Sequence, residues 1–79
     1  MNNPARDPKQ IGQAIRRTRK QRALSQKALG ELAGLRQETI SLIENGNGAT
    51  KITTLLSVLA MLDLEFQIAP RAKGGANYP

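Results

Sequence analysis

A chain of 79 residues has room for one small core, and the absence of Cys and His excludes disulfides and thiolate or imidazole metal sites as its support. A second subunit is the support that remains. Twelve Lys and Arg against six Asp and Glu leave a net charge of +6, which suits a polyanion: nucleic acid first, an anionic membrane surface as the rival. No apolar run approaches the ~20 residues that span a bilayer, and the N-terminus lacks the apolar core of a secretory signal, so a cytoplasmic location is expected.

Residues 1–6 read as a flexible polar arm, 7–69 as the folded domain, and 70–79, rich in Gly, as a disordered tail. Asp7 can cap a first helix with Pro8 at its first position and Gln10 three residues on, as in a capping box. Ile11, Ala14, Ile15 and Thr18 share one face of it. The stretch from Arg6 to Lys27 carries eight basic residues and one acid, Asp7. Ser25 caps a second helix over 26–33, which stops at Gly34, and a third follows over 36–44 until Asn45-Gly46-Asn47-Gly48. A fourth is expected over 51–62 with Thr50 as its cap. Its inner stripe is Ile52, Leu55, Leu56, Leu59 and Leu62, and Val58 and Met61 widen its apolar surface toward a subunit contact.

Leu64-Glu65-Phe66-Gln67-Ile68 alternates as a strand does, and Pro70 stops it. A lone strand leaves its backbone groups unpaired. The same strand of a second copy would satisfy them as an antiparallel ribbon, and a frayed tail is the alternative. The expected fold is therefore all-α, four to five helices with one C-terminal strand pairing across a homodimer. Val58, Met61, Leu64, Phe66 and Ile68 are the candidate interface.

Function concentrates in 26–45. Two short helices joined by a tight turn must cross steeply. Gly30 permits their approach, Gly34 makes the turn, and Leu29, Ala33, Leu35, Ile40 and Ile43 lock the pair to the core, as a helix-turn-helix requires. In that unit the second helix enters the major groove of DNA. Arg36 then suits guanine, Gln37 adenine and Glu38 cytosine, with Ser41 able to bond several bases. Gln26, Lys27, Thr39, Asn45 and Arg17 are candidate phosphate contacts. The bland reading of each is a solvated surface group.

Ser25-Gln26, Leu29, Ala33-Gly34, Gln37, Thr39-Ile40-Ser41 and Glu44-Asn45-Gly46 resemble the pattern of the Cro/C1-type (XRE) family, the lambda-repressor-like fold, over about residues 11–62. That resemblance implies a partly buried salt bridge between Arg19 and Glu44. The segments 50–56 and 62–68 further resemble HipB-type antitoxins. Membership there implies a dimer that represses its own operon at a palindromic operator on the bacterial nucleoid and binds a HipA-like serine/threonine kinase toxin, with Tyr78 as a possible toxin contact. A stand-alone Cro/C1-type regulator is the alternative.

Other classes fit less well. The acids Asp7, Glu31, Glu38, Glu44, Asp63 and Glu65 form no evident pair and no loop cradles a phosphate, so neither an enzyme nor a cofactor or metal is expected. A pure protein-docking module would not need Arg36, Gln37 and Ser41.

Overall fold

The computed structural model describes residues 4–70 as four helices: α1 (Pro8–Gln21), α2 (Gln26–Ala33), α3 (Gln37–Glu44) and α4 (Ile52–Met61). The expected tail and Tyr78 lie outside the described residues, apart from Pro70. Helix α3 packs on both α1 and α2, and α4 packs on α2. Ile15, Leu29, Ile40, Ile43, Val58, Leu59 and Leu62 meet in one core, so every helix contributes to it.

Local chemistry sets the helix starts. Asp7 accepts from the Gln10 amide at 2.8 Å, and the Gln10 side chain reaches back to the Arg6 amide at 2.6 Å, one residue beyond the usual box. Ser25 Oγ accepts from the Ala28 amide at 2.9 Å and opens α2. Helix α3 starts one residue later than the sequence pattern predicts, because Arg36 is extended and serves as its N-cap. Helix α4 starts after Lys51, not Thr50, and neither α3 nor α4 has a side-chain cap bond.

All four helices end in the same way. After α3, Gly46 turns left-handed (φ 88) and the Asn47 amide bonds back to the Leu42 carbonyl at 3.0 Å. After α2, Gly34 adopts φ +72 and the Leu35 amide bonds back to the Gly30 carbonyl at 2.7 Å. Ala23 after α1 (φ 57) and Asp63 after α4 (φ 56) occupy the equivalent left-handed position, where a Cβ is disfavoured. Leu24 and Leu64 then donate to the Arg19 and Leu59 carbonyls, as Leu35 does to that of Gly30. Both leucines, like Leu35, pack against the core.

Close approach of α1 to α3 rests on Gly12. A Cβ there would press into the Ile43 carbonyl oxygen and sit 2.7 Å from that of Glu44. A Cβ at Gly30 would sit 2.7 Å from the Leu35 carbonyl oxygen, so the steep turn needs a small residue at that crossing.

The stripe on α4 differs from the expected one. Its inward residues are Leu55, Val58, Leu59 and, at its C-cap, Leu62, whereas Ile52 is 64% exposed and Leu56 is also exposed. At 100° per residue, 55, 58, 59 and 62 cluster tightly, while Leu56 lies roughly 110° from their centre. Val58 must therefore be removed from the expected subunit interface. At 0% exposure it has no surface left for a partner. Among the described residues none is assigned to a strand, and 64–70 has no regular secondary structure in the single chain. Ribbon pairing needs the partner strand that one chain cannot supply.

Candidate nucleic-acid interface

The turn of Gly34, Leu35 and Arg36 swings α3 across α2 and leaves the N-terminal end of α3 facing outward. Ile40 and Ile43 are buried on the inner side of α3, whereas Arg36, Gln37 and Glu38 are exposed and Thr39 and Ser41 half-exposed. Five polar side chains thus share the outer surface of two turns, and the absence of a side-chain cap leaves the first amides of α3 uncapped. The helix dipole makes this end attractive to anions, offset in part by Glu38 in the first turn.

Lys27 is exposed at the start of α2. Asn45 is exposed at the end of α3, with its amide 3.5 Å from Ser41 Oγ. Gln26 is half-buried, and its side chain donates to Glu44 Oε1 at 3.1 Å. Arg17 is not brought to this surface. It lies on the side of α1 opposite the buried Gly12, Ile15 and Arg19, along a groove that Leu64 and Phe66 also line.

Behind the outward face sits a charged pair. Arg19 Nε donates to Glu44 Oε2 at 2.6 Å and Nη2 to Oε1 at 3.0 Å, with side chains only 10% and 2% exposed. Nη1 donates to the Leu24 carbonyl at 2.8 Å, so one guanidinium ties α1, the loop before α2 and the end of α3. The hydrogen bond that Arg19 donates to Glu44 raises the Arg19 pKa above its ordinary value, against the opposing effect of burial. No buried side-chain polar atom lacks a partner among the described residues.

Residues 15–68 match a family model described as helix-turn-helix. The chain belongs to that DNA-binding family, in its Cro/C1 branch. Within the family it is similar to the antitoxin HipB of Escherichia coli O6:H1, at 33% identity over 77% of this chain and 65% of that protein. The matched region thus spans just under two thirds of that curated relative's length. Among solved structures, HipB in complex with a 20-mer called O2 aligns with a TM-score of 0.83 and 30% identity, covering 92% of this chain and 100% of that one. HipB in a HipA–HipB–O2–O3 complex aligns at 0.79 and 29%, over 86% of this chain and 96% of that one. A restriction-modification controller protein from Aeromonas hydrophila aligns at 0.68 and 30%, over 75% and 86%. The helix-turn-helix family is a DNA-binding one, not an enzyme family, and no described helix is long and apolar enough to cross a membrane.

Residue patterns alone did not mark Arg19 and Glu44 as a pair, since 25 residues separate them in sequence; the family resemblance did. Gly12 was also missed, although a glycine inside a strongly amphipathic helix was the available signal. The bond from Gln26 to Glu44 had no sequence signature.

Proposed function

We propose that the chain binds a palindromic operator as a homodimer, reads bases with Arg36, Gln37, Glu38 and Ser41, and represses transcription there. One observation carries this reading: the turn at Gly34 leaves the polar N-terminal half of α3 outward while Ile40 and Ile43 anchor its inner side. Lys27, Thr39, Asn45 and Gln26 flank that face and suit phosphate oxygens, fixing register without choosing sequence. Arg17 would reach DNA only from outside this cluster.

Met61, Phe66 and the wholly exposed Ile68 offer apolar surface for the second copy, and Leu64 packs half-buried beside them. A groove between α1 and 64–70, lined by Ile11, Ala14 and Leu59 as well, is suited to receiving the partner's strand. Similarity to HipB supports an antitoxin that represses its own operon and binds a HipA-like kinase. Likeness to a restriction-modification controller protein favours the second reading, a regulator without a toxin. Co-purification with a kinase-like protein encoded beside it separates the two.

The test is a gel-shift series on the DNA upstream of the chain's own gene. Gln37→Ala should abolish most preference for that fragment over unrelated DNA while non-specific binding persists. Equal preference in wild type and variant would refute the assignment of α3 as the reading helix.

A further inference from the structure

The bond between Gln26 and Glu44 links the structural ion pair to a side chain on the DNA-facing side. We propose, resting on the DNA-binding reading above, that Glu44 is a positioning residue: it orients the Gln26 amide at the start of α2 for a phosphate.

Three features carry this. Glu44 Oε1 accepts from both Arg19 Nη2 at 3.0 Å and Gln26 Nε2 at 3.1 Å. A carboxylate engaged by a guanidinium only accepts, so it selects the nitrogen end of the glutamine amide and excludes the flipped orientation. One N–H and the carbonyl oxygen of Gln26 then remain for other partners. Secondly, the carboxylate is itself buried and held. Two bonds from Arg19 hold it, and Arg19 is anchored in turn on the Leu24 carbonyl. Thirdly, the chain of bonds runs from the C-terminal end of α3 to the N-terminal end of α2. It fixes the phosphate-facing group of one helix relative to the helix that reads bases. A glutamine held in this way gives up its rotamer freedom on folding, so less remains to be lost on binding.

The test is a cycle of full-length variants measured on the duplex that wild-type protein recovers from a random-sequence library. Gln26→Ala is made in the wild-type background and in Arg19→Met/Glu44→Leu, which removes both charges together and so strands neither. The folded fraction of each is checked by circular dichroism at the binding temperature. Gln26→Ala should weaken binding roughly fivefold to tenfold in the wild type, the worth of one oriented hydrogen bond, and under about twofold in the charge-free background. Equal losses in the two backgrounds would overturn the proposal, because a purely structural Glu44 predicts additivity.

Side-chain amide relaxation of free wild-type protein gives an answer even if the charge-free variant fails to fold. Gln26 should be nearly as rigid as the backbone and Gln37 mobile; a mobile Gln26 overturns the proposal. Gln37→Ala in the same series should alter the preferred sequence. If it did not while the cycle still showed coupling, α3 would be misassigned and the link between Glu44 and Gln26 would stand.

Discussion

Removing Arg19 alone should unfold this protein under conditions in which removing Arg19 and Glu44 together does not. In Arg19→Met the carboxylate of Glu44, only 2% exposed, loses two bonds at 2.6 and 3.0 Å and keeps the single bond from Gln26. A buried charge stranded in this way costs about 3–5 kcal/mol. For a domain of this length that corresponds to a fall in Tm of roughly 12–40 °C, and it consumes much of the ~5–15 kcal/mol a small domain holds. Glu44→Leu should fall at the lower end of the range, because the Arg19 head is 10% exposed and keeps the Leu24 carbonyl. Arg19→Met/Glu44→Leu strands no charge. It frees the Leu24 carbonyl and the Gln26 amide, both only part-buried, and should lie within about 2 kcal/mol of wild type. Urea melts followed by far-ultraviolet circular dichroism measure all four proteins. Additive losses, with the double variant the least stable, would refute the reasoning.

Ala23→Gly should stabilise the protein by about 0.5–1 kcal/mol, because relief of the left-handed strain at φ 57 exceeds the added unfolded-state entropy; urea midpoints read it. Gly12→Ala should cost at least about 2 kcal/mol by forcing α1 off the carbonyls of Ile43 and Glu44, seen as a lowered Tm. Phe66→Pro should weaken the proposed dimer without unfolding the chain, since Phe66 lies outside the core and proline removes a ladder donor; sedimentation measures it. The Arg19 pKa is raised on folding, so its contribution is fully present at neutral pH and is lost only in strong alkali. Melts in neutral and mildly alkaline buffers should then agree as far as Arg19 is concerned.

The helix-turn-helix was legible because its determinants are local. Ser25 caps, Gly34 turns left-handed, and Leu29, Ile40 and Ile43 recur at helical spacing. Glycine marked the ends of α2 and α3, and the apolar pattern placed the end of α4 at Leu62, its C-cap, whereas nothing marked the end of α1. Ala23 and Asp63 make the same turn, held by the burial of Leu24 and Leu64 behind them, and a side chain in a strained position leaves no compositional trace. The face of α4 was misplaced because seven of its ten residues are apolar and they lie on more than one side. Which of them turns inward is decided by where α2 sits, and Val58 went inward while Ile52 and Leu56 stayed out. Outward display of Arg36 and Gln37 followed from the motif, but the hold of Glu44 on Gln26 is a tertiary contact across 18 residues.

Chemical protection of guanine N7 in the major groove tests most directly whether α3 reads DNA. Wild-type protein should protect guanines in two half-sites about one helical turn apart, roughly 34–36 Å. Arg36→Ala should lose that protection while contacts to the phosphates persist. Protection unchanged by Arg36→Ala, or confined to the minor groove, would contradict the account.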